Sequence, residues 1–129
     1  MSPDFLTPEE VLDIHEMQLK RIGGGAGIRD QGLLESALAQ PPATFDGQFI
    51  HEDVFAMAAA YLFHIVRNHP FVDGNKRVGL LSALVFLDLN GLTLEHGSEA
   101  LYELTMATAE GRVDKAHVTS ELRRIAHER

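Results

Sequence analysis

The stretch NKRVGLLSALVFLDL, residues 75–89, constrains this chain more than any other. Its apolar residues, Val78, Leu81, Leu84, Val85 and Leu87 among them, fall on nearly every side of a helix. A helix without a polar face has to be covered by neighbouring elements. The run is too short and too interrupted to span a bilayer, so the cover is expected to come from the chain itself. That requirement predicts a helical bundle with this segment, from about Asn75 to Leu89, near its centre.

The remaining sequence supplies the covering helices. Thr7, Pro8 and Glu10 form a helix start: Thr caps, Pro takes the first helical position, and Glu closes a capping box. Val11, Ile14, Leu19 and Ile22 continue at roughly helical spacing until Gly23, Gly24 and Gly25 end the run. Asp30 caps a short second helix through Leu33, Leu34, Ala37 and Leu38, which Pro41 and Pro42 stop. Residues 41–51, PPATFDGQFIH, read as irregular, with Phe45, Phe49 and Ile50 exposed. From Glu52 a third helical stripe (Phe55, Ala59, Leu62, Phe63, Val66) runs to about Arg67. After the central helix, Asn90-Gly91 is the C-cap, LTLEHG an extended connection, and Ser98 the cap of a fifth helix to about Ala109. Gly111 breaks that helix and Asp114 starts a sixth. No alternating strand pattern and no repeat is found. The expectation is an all-α, single-domain bundle of about six helices over residues 1–129.

Composition narrows the chemistry. The absence of Cys removes disulfides, thiolate catalysis and Cys-based zinc sites. A formal net charge of −8 argues against a broad nucleic-acid footprint, so no direct nucleic-acid partner is expected. MSPDFLTPEE has neither a basic region nor an apolar core of a signal peptide, and a cytoplasmic location without membrane association is expected.

Chemistry concentrates in NHPFVDGNKRVG, residues 68–79. The helix beginning at Asn75 offers free N–H groups and a partial positive charge, which favour an anion. Gly74 can take φ > 0 and turn successive N–H groups inward as a nest. Lys76 and Arg77 place cations in a first turn whose dipole prefers acids, an arrangement that an anion would offset. Phosphate suits it, with Arg as a planar fork and Lys as a point charge. Asp73 beside an anion site makes sense if Mg²⁺ lies between carboxylate and phosphate. His69 is the group here that titrates near neutrality and is the candidate general base. Pro70 would set the backbone and Phe71 would plug the core below.

Each residue alone also has a structural reading. His69 before Pro70 can cap the preceding helix, Asp73-Gly74-Asn75 can be a turn and cap, Lys76 and Arg77 can be a solvated face, and Gly79 can permit close helix packing. Their coincidence within a few residues at a helix start favours the site. His15, His51, His64, His96, His117 and His127 show no metal-ligand spacing.

HPFVDGNKR resembles the signature of the Fic/Doc superfamily, and the likeness to its death-on-curing (Doc) branch covers nearly the whole chain. FLTPEEVLDIHE, GGGAGIRDQGLLESALAQP, ALVFLDLNG and AEGRVDK follow that branch in order and spacing. The resemblance implies a small helical toxin of a type II toxin–antitoxin module that uses ATP and Mg²⁺. It implies His69 as general base, Asp73 as Mg²⁺ ligand, and Gly74, Asn75, Lys76 and Arg77 as phosphate-binding residues. Arg67 is implied as an accessory phosphate or target contact. Residues 45–53 fall where the superfamily places a flap that pairs with the target.

AMP-transferring members carry a motif ending GNGRxxR; here Lys76 replaces its second Gly and Leu80 its last Arg. Those departures are shared by the Doc branch and imply transfer of the ATP γ-phosphate to a Thr or Ser hydroxyl, with elongation factor Tu the expected target. Self-restrained members carry an [S/T]xxxE[G/N] helix. Here Glu110-Gly111 is preceded by Met106 at the hydroxyl position, so restraint is expected from a Phd-like antitoxin acting in trans. Three alternatives stay open: AMP transfer with the same base, a catalytically weak antitoxin-binding scaffold that tunes its operon, and a metal-dependent hydrolase using His64, His69 and Asp73.

Overall fold

The computed structural model describes residues 2–94 and 98–127. They form six helices, α1 (Pro8–Ile22), α2 (Gln31–Ala39), α3 (Val54–Asn68), α4 (Asn75–Leu89), α5 (Glu99–Ala109) and α6 (Lys115–His127), with a hairpin of β1 (Thr44–Phe45) and β2 (Gln48–Phe49). The architecture is all-α.

Short polar side chains set the helix starts. Thr7 Oγ1 accepts the Glu10 N–H at 3.1 Å and Glu10 Oε1 accepts the Thr7 N–H at 2.8 Å, the reciprocal box expected from the sequence. Asp30, Asp53, Ser98 and Asp114 each accept the N–H three residues on. Because Asp53 caps, α3 begins at Val54 rather than at Glu52.

The stretch 41–51 is more ordered than its composition suggests. Thr44 pairs with Phe49 and Phe45 with Gln48 across Asp46-Gly47, both of which have positive φ. That is the mirror-image turn favoured by strand twist, and Asp-Gly suits it. Phe45, Phe49 and Ile50 are exposed, and the Phe49 ring lies 5.6 Å from that of Phe5 between centroids.

The expected central helix shares the centre with α3. α3 packs against α2, α4, α5 and α6, and α4 against α1, α3 and α5. Met57 through Leu62 are all buried on α3. Gly79 of α4 lets the pair approach: a Cβ there would lie 2.7 Å from Val66 Cγ2 and 3.3 Å from the Leu62 carbonyl oxygen. Among the described residues no helix is long and apolar enough to cross a membrane. The end of the LTLEHG connection, residues 95–97, lies outside the described residues, as does the side chain of His127.

Candidate active site

α3 ends in a left-handed cap. His69 has φ 55° and ψ 52°, and its N–H still bonds the Ile65 carbonyl at 3.1 Å. A residue with a Cβ adopts this conformation only where its surroundings hold it. The hold comes from the α1–α2 connection. Arg29 donates from Nε to the His69 carbonyl at 2.7 Å and from Nη2 to the Asn68 carbonyl at 3.0 Å, satisfying carbonyls the helix end leaves open. The Pro70 carbonyl accepts the N–H groups of Arg29 and Asp30, and Val72 donates to the Gly27 carbonyl.

Phe71 is fully buried and plugs the core, as the sequence led us to expect. The Asn75 side chain closes the loop above it: Oδ1 accepts the Phe71 N–H at 2.9 Å and Nδ2 donates to the Phe71 carbonyl at 3.0 Å. Asn75 is thus buried and committed, and only its backbone N–H is left for a ligand. Gly74, at φ 82°, leads into α4, whose first turn has no side-chain cap. The groups such a cap would satisfy are therefore left to an anion.

The exposed carboxylate of Asp73 accepts the Gly74 N–H at 2.8 Å on Oδ1 and a longer contact of 3.4 Å from the Gly25 N–H on Oδ2. The connection runs so near that a Cβ at Gly24 would lie 2.8 Å from Asp73 Oδ2. With φ +117°, position 24 requires glycine twice over.

A cleft of about 740 Å³ opens above this loop. His69, Asp73, Gly74, Asn75, Lys76 and Arg77 line one side, and Ser98, Tyr102, Thr105, Met106 and Ala109 of the α5 segment line the other. Lys76 and Arg77 are exposed and form no ion pair with the described residues. Glu110 pairs with Arg112 at 2.7 Å and forms no ion pair with Arg77.

Arg67 is not brought into this group. Its Nη1 donates to the Ala109 carbonyl at 3.2 Å and lies 3.4 Å from that of Thr108, so it caps the C-terminus of α5. Its guanidinium fills space that Gly111 leaves open, since a Cβ there would lie 3.2 Å from Nη1.

The residues present fit a phosphate: an uncapped helix start, a left-handed glycine and two unpaired cations. For Mg²⁺ they offer one carboxylate, and among the described residues no group of three acidic or imidazole side chains converges. That donor set suits a cation held mainly by phosphate oxygens and water, which is how Mg²⁺ is usually bound beside a nucleotide.

Sequence reasoning missed several contributors. His15 of α1 bonds the loop from below, Arg29 caps α3, and α5 forms the far wall. Only the buried-face spacing Val11, Ile14, His15 hinted at the first; the others are tertiary contacts that no local pattern encodes.

Residues 5–87 match a family model described as the Fic/DOC family. The protein kinase doc of Escherichia phage P1 is 36% identical over 120 residues, covering 93% of this chain and 94% of that relative. The toxin Doc of Mycolicibacterium smegmatis is 40% identical over 91 residues, covering 70% of this chain and 68% of that relative.

Proposed function

The chain belongs to the Fic/DOC family, and from that membership we propose that it is a Doc-type toxin. It moves the γ-phosphate of ATP to a Thr or Ser hydroxyl of a translation factor, with elongation factor Tu the expected target. The relative named a protein kinase supports the reaction class, and the relative named a toxin supports the biological role.

One observation carries the reading. Lys76 and Arg77 stand unpaired at the uncapped start of α4, in the same cleft as His69. Backbone N–H groups at the start of α4, from Asn75 to Arg77, hold phosphate oxygens, and the two cations offset charge that builds up on transfer. His69 takes the proton as the target oxygen bonds to the γ-phosphorus; the bond from phosphorus to the bridging oxygen breaks and ADP leaves. A Mg²⁺ held by Asp73 would supply further charge neutralisation there. The Lys76 side chain occupies the space a glycine would leave for an α-phosphate, which favours presenting the terminal group. With Glu110 paired to Arg112, Arg77 has no ion-pair partner among the described residues, consistent with restraint by an antitoxin in trans.

The test uses ATP labelled on either the γ- or the α-phosphate, incubated with this protein, Mg²⁺ and elongation factor Tu. Label should transfer from the γ-position alone. Transfer from the α-position alone would replace the kinase reading with AMP transfer.

A further inference from the structure

His15 has no part in the reading above, yet it is the side chain that touches the loop from beneath. It follows Val11 and Ile14 on the buried face of α1 and is itself buried, at 5% exposure. Its ring lies parallel to that of Phe71, with centroids 4.0 Å apart and planes 12° apart. Its Nε2 is 3.1 Å from the Asp73 carbonyl oxygen. Since a carbonyl only accepts, Nε2 must carry the proton and donate.

We propose that His15 is a positioning residue that aims the Asp73–Gly74 peptide, and with it the Asp73 carboxylate, at the ligand. The inference rests on the reading of the cleft as a Mg²⁺-nucleotide site. A trans peptide is planar, with its C=O and N–H on opposite sides. Pinning the Asp73 oxygen down onto α1 therefore turns the Gly74 N–H up, where it meets Asp73 Oδ1 at 2.8 Å. The carboxylate is thereby held next to the start of α4 before any ligand arrives. Without the pin, this peptide can rotate, since Gly74 tolerates either sign of φ. A rotated peptide turns its oxygen rather than its N–H toward the Asp73 carboxylate, which then loses the bond that holds it in place. The stack on Phe71 fixes the ring plane that makes the bond possible. A ring needed only to fill space beneath Phe71 would require no polar edge.

The proposal predicts a spectroscopic signature in the unmodified protein. Nitrogen NMR of the imidazole should show the proton of the neutral ring on Nε2. A neutral ring protonated on Nδ1 instead would overturn the proposal, whatever the protein binds.

Two variants extend the test. His15→Phe keeps an aromatic ring on Phe71 and removes the donor; His15→Gln restores a donor without the ring. In His15→Phe the Gly74 amide resonance should move, and calorimetric affinity for ATP with Mg²⁺ should fall roughly five- to ten-fold, the range for loss of one such bond. His15→Gln should recover part of that loss. Unchanged Gly74 resonance and affinity in His15→Phe would also overturn the proposal. Failure of the unmodified protein to bind ATP with Mg²⁺ would remove the nucleotide reading, while the tautomer and the Gly74 resonance still judge His15.

Discussion

Two corners of this molecule gather histidine and cationic side chains, and α3 connects them. At its end, His69 faces the cleft with Lys76 and Arg77. One turn earlier, His64 accepts a hydrogen bond from Lys115 Nζ at 3.0 Å, with His51 close by. The second corner is the more buried of the two. Burial, then the Lys115 charge and then His51, push the His64 imidazole down to about 4. Burial first and Lys115 second also lower His51, and burial lowers Lys115. His51 Nε2 is buried without a hydrogen-bond partner among the described residues. Packing thus weakens the hold of this corner's bases on their protons, whereas the cleft leaves its cations exposed to solvent. The same residue types give a structural joint in one place and a candidate ligand site in the other, and solvent access decides which.

The sharpest way to break the comparison is to remove the proposed base. His69→Asn keeps a residue that tolerates φ > 0, so the left-handed cap survives. Phosphate transfer to the target should fall by roughly 10²–10⁴-fold, the usual contribution of a placed general base. Thermal unfolding should be unchanged, because His69 is exposed. Retained transfer would take His69 out of the chemistry and make both corners structural.

That contrast bears on what was legible beforehand. Helix starts were legible because Thr7, Asp30, Ser98 and Asp114 act within three residues of themselves. The loop HPFVDGNKR was legible as a candidate ligand site because its glycine, cations and helix start are adjacent in sequence. The hairpin was not, since strands of two residues leave no alternation to detect; Asp46-Gly47 was its one local signal. Residue type alone did not show where two side chains go. Asn75 was expected among the phosphate-binding residues; its side-chain amide is spent on the Phe71 backbone, which leaves its backbone N–H for that role. Arg67 was expected as an accessory phosphate or target contact, and its guanidinium reaches across to the α5 carbonyls. A long side chain can turn either way from a helix end, and only the position of α5 decides.

A second change should disturb both corners together. Gly79 lies where α4 meets α3 between them, against Val66 and Leu62. Gly79→Ala would improve helix propensity by up to ~1 kcal/mol. The added methyl meets Val66 Cγ2 and the Leu62 backbone, and overpacking of this kind costs about 1–3 kcal/mol. Net destabilisation is expected in chemical denaturation. Val66 also lines the cleft, so transfer should fall as well, by roughly ten-fold or less, through misplacement of the α3 end. Unaltered stability would show that the helices can separate without loss, and that the close approach is incidental.

The smallest effect isolates the more buried corner. An imidazole held below its ordinary 6.5 in the fold binds its proton more readily when the chain unfolds. Between pH 6.5 and about 4 the unfolded chain therefore takes up more protons at His64, and stability falls as the pH drops through that window. Above 6.5 this contribution is constant. His51, lowered in the same sense, adds to the slope. Lys115→Met removes the charge that opposes protonation of His64, and it also removes the hydrogen bond that favours the neutral ring. Both effects bring the folded imidazole nearer its unfolded value. Because burial is the larger cause, its part of the depression should remain in the variant. Denaturation measured at pH 7 and at pH 4.5 should give a smaller difference for the variant than for the unmodified protein. Transfer at pH 7 should be unaffected, since Lys115 is not among the residues lining the cleft. An identical pH dependence in the two proteins would mean that the His64–Lys115 contact does not set the acid response, and that the carboxylates of the surface do.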